Sequence, residues 1–213
     1  MEQMTSVQKD SPGVLVALGG NQPGTAGPVS ETLRMALRML DARGFRLLAL
    51  SRFFSTPAHP AGSGPDYVNA AAALASDLPP QAILAALHAV EAHFGRERHA
   101  RWAARGLDLD LLAAGAQILP DAATEAAWRA LAPAEQALRT PPTLILPHPR
   151  LHQRAFVLIP LADIAPRWRH PGLGKSVAEM LAALPEAEKA AIRPFEGFSA
   201  GNRRLSSSGQ PPK

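Results

Sequence analysis

Cysteine is absent from the 213 residues, tyrosine occurs once, and lysine is found only at positions 9, 175, 189 and 213. The missing thiols exclude disulfides, thiolate catalysis, cysteine-ligated zinc and iron–sulfur clusters together. They also fit a reducing compartment, so a cytoplasmic location is expected. Long apolar runs are missing too: no stretch approaches the ~20 residues of a membrane span, and Pro, Gly or charge interrupts the longer ones. Residues 1–11 include Glu2, Lys9 and Asp10 and hold no apolar segment of the signal-peptide kind. No membrane partner is expected.

With lysine scarce, positive charge is carried by arginine. Lys+Arg number 22 against 18 Asp+Glu, a net +4. The planar guanidinium fork matches phosphate, so the bias points to phosphate chemistry or nucleic acid. Position separates the two. Arg96, Arg98, Arg101 and Arg105 with Glu97 concentrate +3 between 96 and 105, residues 201–213 hold a further +3, and −2 is left for the remainder. A broadly basic surface is therefore absent, and no nucleic-acid partner is expected.

A chain of this length suits one domain of roughly 100–200 residues, able to bury about 70% of its unfolded surface without covalent staples. Residues 1–12 and the Ser/Gly/Pro-rich 199–213 read as flexible tails around a single domain, 13–198. Val14 to Leu18 is a short apolar run ending at Gly19-Gly20, a buried strand entering a turn. Val29, Leu33, Leu37 and Leu40 recur at helical spacing before Gly44. Strands follow at 45–55 and 67–75. A helix opened by Pro79-Pro80 carries Leu84, Leu87, Glu91 and Phe94 and stops at Gly95, and a fourth strand spans 107–113. The order β-α-β-β-α-β predicts an α+β fold, the ferredoxin-like antiparallel sheet with two helices on one face. Beyond it, an Ala-rich helical insertion spans 121–139, and Ser176 with Glu179 forms a capping-box pair for a last helix.

The sharpest local feature is Leu107-Asp108-Leu109-Asp110-Leu111-Leu112. On a strand, Asp108 and Asp110 share a face while the leucines bury opposite. Mg²⁺ takes one or two such carboxylates together with phosphate oxygens and water. Two surface acids on a half-exposed strand is the plainer alternative. Four arginines immediately upstream favour a metal-bridged polyanion between the two charge types. Glu91 lies on the apolar stripe of its helix, so it needs a partner or a ligand, unless it sits at the stripe's edge and reaches solvent. Tyr67 and Asn69 share a strand face in the same way. An aromatic face beside an amide edge suits a flat heteroaromatic ring, although a strand tyrosine can equally be packing.

Two further patterns carry little. Gly172-Leu173-Gly174-Lys175-Ser176 is similar to the end of a phosphate-binding loop, but the required leading glycine falls at Arg169 and no strand precedes it. It reads as a turn into the capped helix. His148 and His152 have zinc-like spacing with Pro149 between them, and ligation by that pair is not expected.

Several segments in order carry a family resemblance. They are Val16-Ala17-Leu18-Gly19-Gly20-Asn21, Thr56-Pro57, Pro65-Asp66-Tyr67-Val68-Asn69-Ala70-Ala71, Glu91 to Arg96, Arg101-Trp102 with Arg105, Leu107 to Leu112, and Pro147-His148-Pro149-Arg150 through Arg154-Ala155-Phe156-Val157-Leu158. Together they resemble the 6-hydroxymethyl-7,8-dihydropterin pyrophosphokinases of folate biosynthesis, from about Val14 to Pro166.

The resemblance implies transfer of pyrophosphate from ATP to the pterin hydroxymethyl group, with AMP released, on a ferredoxin-like sheet. It implies two Mg²⁺ ions on Asp108 and Asp110, with Arg96 and Arg105 on mobile loops assisting the transfer. ATP would contact Glu91, Arg98, Arg101, Trp102, Leu111, His148 and Arg154. The pterin would lie between Tyr67 and Phe156, with Asn69 and the Thr56-Pro57 backbone on its edge and Trp102 closing over it. The partners implied are small molecules only, and a monomer is expected, with a dimer as the alternative.

The chain departs from the family pattern at Gly20, where serine is usual, and at Ala103-Ala104 and Gly106 around Arg105. It departs again near His59 and through the longer 121–139 connection. An RNA-recognition domain has the same element order but needs exposed aromatics and basic neighbours on its central strands. Asp108 and Asp110 stand there instead. An inactive homologue is the third reading.

Overall fold

Val14, Val16 and Leu18 alternate with Leu15 and Ala17, a pattern that gives one strand two apolar faces and requires a layer against each. The computed structural model describes residues 13–24, 26–58, 64–95 and 106–196. The expected tails, 1–12 and 199–213, lie outside these, as do 197–198. The elements are β1 (Val14–Gly20), α1 (Val29–Asp41), β2 (Arg46–Leu50), β3 (Phe54–Thr56), β4 (Tyr67–Ala75), α2 (Pro80–His93) and β5 (Asp108–Ala114). After them come α3 (Ala122–Ala130), α4 (Pro133–Leu138), a 3₁₀ turn at Leu151–Gln153, α5 (Ala155–Ile164), α6 (Val177–Ala182), α7 (Glu186–Ala190) and β6 (Arg193–Pro194).

The sheet order is β5-β1-β4-β3-β6, with β2 also paired to β4, and every pairing is antiparallel. This is the expected ferredoxin-like arrangement, with one change. The strand expected at 45–55 is broken in two. Ser51 takes a ladder position with both its groups: its N–H donates to Ala71 O at 2.9 Å, and its Oγ accepts from Ala71 N at 2.9 Å. The hydroxyl replaces a backbone carbonyl, so pairing lapses there and resumes at Phe54.

One face of the sheet is covered by α1 and α2. Leu33, Leu40, Ile83, Leu87 and Val90 pack there on Val14, Val16, Leu18 and Leu109, all buried. The other face is covered by the C-terminal helices, where Leu15, Ala71, Ala73 and Leu112 meet Val157, Leu158, Leu161, Trp168 and Met180. Central β4 is buried along seven successive residues, Val68 to Leu74, because both its faces are covered. Its run of alanines keeps the layers close.

Helix α5 has no amphipathic period. Ala155, Val157, Leu158, Pro160 and Leu161 are all buried, and Pro160 stands inside the helix. Arg52 donates to Asp163 from Nε at 2.9 Å and from a terminal nitrogen at 2.8 Å, tying this helix to the break between β2 and β3. Residues 121–139 form two helices. Asp121 caps α3 by accepting from Thr124 N at 2.9 Å, and Pro133 opens α4. Ser176 and Glu179 form the expected capping box on α6. The glycine-rich stretch before them is a turn closed by the Arg169–Ser176 bridge. Among the described residues, no helix is long and apolar enough to cross a membrane.

Candidate active site

Antiparallel register decides which side chains meet. Gly19 of β1 is opposite Asn69 on one side and Asp108 on the other, while Ala17 is opposite Ala71 and Asp110. Tyr67 is paired with Thr56, and Asn69 with Phe54. Ala17 and Ala71 pack in the C-terminal layer, so their neighbours along each strand, Asn69, Tyr67, Asp108 and Asp110, project on that same side. The two polar pairs found by alternation therefore stand on one face, separated only by a glycine.

That glycine is required by its surroundings. A Cβ on Gly19 would lie 2.7 Å from Asn69 Oδ1, so the Asn69 amide lies across bare backbone. Asn69 Nδ2 donates to Thr56 Oγ1 at 3.0 Å, which fixes the amide's orientation. Gly20 is equally confined on the opposite side: a Cβ there would meet Gly106 O at 2.6 Å and Val29 Cγ1 at 3.1 Å. The absent hydroxyl at position 20 is thus matched to the path of the chain entering β5. Asn21, 6% exposed, donates to Pro65 O at 3.3 Å and clips the approach to β4 onto the end of β1.

The end of α5 closes the site from above. Its N-cap is Arg154, and no side chain caps the helix; its N-terminal dipole favours an anion. An Arg154 terminal nitrogen lies 3.9 Å from Asp110 Oδ2, at the outer reach of an ion pair. Its guanidinium is 5.5 Å from the ring centre of Phe156, which is itself exposed. Burial lowers the Arg154 pKa, Asp110 opposes the fall, and Arg150 adds to it. His148 is anchored twice: its N–H donates to Leu112 O at 2.8 Å, and its Nδ1 accepts from Arg150 N at 3.1 Å. Burial is the main cause that pushes His148 down to about 4, against the pull of Asp110. The ring is neutral near pH 7, with Nε2 as its donor.

Two half-exposed carboxylates, Asp108 and Asp110, are the acidic groups on this face. Among the described residues, no cluster of three or more His, Asp or Glu could hold a metal. The donor set suits a hard ion that draws its other ligands from phosphate and water, as Mg²⁺ does.

Thr56, Tyr67, Asn69, Asp108, Asp110, His148, Arg154 and Phe156 are thus gathered around the polar end of one sheet face, with Pro57 exposed beside Thr56. Two expected residues are placed differently. Glu91 is 1% exposed on the α2 side, where its Oε1 accepts from Leu109 N at 2.8 Å, between the two aspartates. The choice between partner and ligand thus has at least a partner. The Leu111 side chain is buried in the α1/α2 core, which leaves only its backbone for a nucleotide. Arg96, Arg98, Arg101, Trp102, Ala103, Ala104, Arg105 and His59 lie outside the described residues. Arg150, and Trp128 and Arg139 of the 121–139 segment, which line a cavity with His148 and Arg154, were not anticipated; Arg150 alone had a signal, as a second arginine close to Arg154.

Comparisons with known proteins identify the family and the fold. A family model described as 7,8-dihydro-6-hydroxymethylpterin-pyrophosphokinase (HPPK) matches residues 15–166. The chain is 38% identical over 173 residues to a Pseudomonas aeruginosa protein named 2-amino-4-hydroxy-6-hydroxymethyldihydropteridine pyrophosphokinase, covering 81% of this chain and 91% of that one. A Synechocystis protein of the same name is 35% identical over 170 residues, covering 79% and 74%. Among solved structures, an HPPK-DHPS in complex with substrates superposes with a TM-score of 0.55 at 10% identity, over 80% of this chain and 44% of that one. The wild-type Plasmodium falciparum HPPK-DHPS gives 0.54 at 12% identity, over 79% and 44%. The chain spans less than half the length of those two solved chains, and at such identities the likeness is one of fold.

Proposed function

The chain belongs to the 7,8-dihydro-6-hydroxymethylpterin-pyrophosphokinase family, and on that premise we propose how its residues perform the family's reaction. The enzyme transfers pyrophosphate from ATP to the hydroxymethyl group of 6-hydroxymethyl-7,8-dihydropterin, giving AMP and the pterin diphosphate, in folate biosynthesis. The pterin hydroxyl oxygen forms a bond to the β-phosphorus. The bond from that phosphorus to the α–β bridging oxygen breaks, AMP leaves with that oxygen, and the hydroxyl proton is released. No protein nucleophile is needed, so catalysis reduces to placing two substrates and neutralising charge.

One observation carries the assignment: Asn69, Gly19 and Asp108 form a single row across three strands, with Asp110 and Arg154 beside it. A flat ring on the Asn69 side puts a substituent within reach of a polyphosphate on the aspartate side. Tyr67 and Phe156 supply aromatic faces for the pterin, while the Asn69 amide and the Thr56-Pro57 backbone read its edge. Asp108 and Asp110 would hold the Mg²⁺ ions, two by the family pattern. When bound, these supply charge neutralisation on the phosphate oxygens. Arg154 and the neutral His148 donate to the phosphate chain, and Arg154 gains a counter-charge that offsets its burial. Glu91 acts as a positioning residue: by holding Leu109 N–H it fixes the strand between the two acids. Arg96, Arg98, Arg101, Trp102 and Arg105 are proposed as the arginine-rich arm that contacts ATP and excludes water. The unit we propose is one domain over 13–198, monomeric, cytoplasmic and bound only to small molecules.

The test is incubation of the purified protein with ATP, Mg²⁺ and the pterin, with nucleotides resolved by chromatography. AMP formed only when pterin is present supports the reading. ADP, or AMP made equally without pterin, defeats it.

A further inference from the structure

Beside the aspartates lies a cavity that residues 121–141 help to build. It measures about 220 Å³, and its walls include Trp128, Gln136 and Arg139 from this segment facing His148, Arg150 and Arg154. None of its lining residues is a carboxylate. Among the described residues the buried Nε of Arg150 has no hydrogen-bond partner, and a buried donor left unpaired is costly unless a ligand meets it. Arg139 lies 5.3 Å over the Trp128 ring, which holds its charge at the rim. The volume falls below the ~300 Å³ at which pockets for whole drug-sized ligands begin, so it suits a short phosphate chain better than an entire nucleotide.

The wall is held in place. Gln153 Nε2 donates to Gln136 Oε1 at 2.7 Å, joining α4 to the turn before α5. On α3, the fully buried Glu125 accepts from Arg129 Nε at 2.9 Å. The 168–176 turn closes against this acid so tightly that a Cβ on Gly172 would sit 2.9 Å from Glu125 Oε2. A loosely attached insertion would show none of these contacts.

We propose that α3 and α4 form, with Arg150, an accessory polyphosphate pocket that shares His148 and Arg154 with the aspartate site, and that its ligand is the triphosphate chain of ATP. This rests on the pyrophosphokinase reading of the neighbouring site. Arg139 and Arg150 become specificity residues: they reward a nucleotide for its chain length and are indifferent to the pterin.

The experiment is calorimetric titration of wild type, Arg139→Gln and Arg150→Gln, with Mg²⁺ present, using α,β-methylene ATP, AMP and inorganic pyrophosphate as probes. Each substitution is expected to weaken the ATP analogue roughly tenfold, the loss of one charge-assisted hydrogen bond, with AMP and pterin affinities unchanged. Unchanged affinity for the ATP analogue in both variants overturns the proposal. So does loss of pyrophosphate binding alone, which would make the pocket a site for the free anion. Arg139 is exposed, so its variant still decides the matter if Arg150→Gln fails to fold. A wild type that binds the analogue through these arginines yet forms no AMP would retire the reaction and keep the pocket; a wild type that forms AMP with both variants unaffected would do the reverse.

Discussion

The two faces of the sheet are built from the same strands and serve different ends. Toward α1 and α2, the inward residues are apolar along the whole length of β1, β4 and β5. Toward α5, they are apolar only as far as Ala17, Ala71 and Leu112; beyond that the face turns to Asn69, Gly19, Asp108 and Asp110. Packing against the first face supplies stability, and on the second it stops where the helix begins, at Arg154. Helix α5 begins at Ala155, with Arg154 reaching Asp110 at 3.9 Å, and the polar rows beside it are the proposed site.

This comparison can be broken from either side. The largest effect is expected on the open face: Asp108→Ala or Asp110→Ala should lower turnover by at least about a thousandfold while thermal melting stays close to wild type. Full activity in either variant removes the metal assignment. On the closed face the signature should invert. Leu87, fully buried between helix and sheet, should cost about 2–5 kcal/mol as Leu87→Ala, read as a drop in denaturant midpoint with KM for both substrates preserved.

Glu91 crosses the division. It belongs to the closed face by burial, but its bond to Leu109 N reaches the strand that presents both acids. Glu91→Ala should lose about 1–3 kcal/mol of stability together with turnover. Glu91→Gln keeps an acceptor for Leu109 N and should recover much of both; equal damage in the two variants would mean that the negative charge acts directly. Within the open face, Tyr67→Ala should weaken pterin binding roughly tenfold and leave ATP binding nearly unchanged, which fluorescence titration of each ligand can check.

The smallest effect concerns acid. Burial first, then Arg129 and His152, push His170 down from 6.5 to about 4. Glu125 Oε1 lies 3.9 Å from its Nε2, and the Trp168 ring packs edge-on at 6.0 Å. The folded pKa lies below the unfolded one, so the unfolded chain binds the extra proton between pH 6.5 and 4. Stability should therefore fall as pH drops through that window. His170→Asn, whose amide oxygen can still accept from Gly172 N, should flatten the slope in thermal melts across it. A slope unchanged by the substitution would assign the acid sensitivity elsewhere.

Much of this was legible in the residues, in the places where periodicity carries the information. The bounds of β4 follow from Tyr67 to Ala75 being flanked by turn signals, and the acid pair follows from strand alternation. That the two polar pairs meet depends on register, which pattern alone does not supply: it needs Gly19 between Asn69 and Asp108. Ser51 hid the break between β2 and β3, because a hydroxyl acting as a ladder acceptor leaves no trace in hydropathy. Helix α5 was invisible for a different reason, having no amphipathic period and Pro160 inside it. Arg139 and Trp128 had no local pattern, since only folding of α3 against the 168–176 turn brings them to His148.

The division of labour between the faces is tested most directly by a crystal structure of the enzyme with α,β-methylene ATP, Mg²⁺ and 6-hydroxymethyl-7,8-dihydropterin. The account predicts the pterin against Tyr67 and Asn69, metal on Asp108 and Asp110, and the phosphate chain running to Arg154 and Arg150. Ligands seated on the α1/α2 side, or a metal that leaves both aspartates untouched, would contradict it.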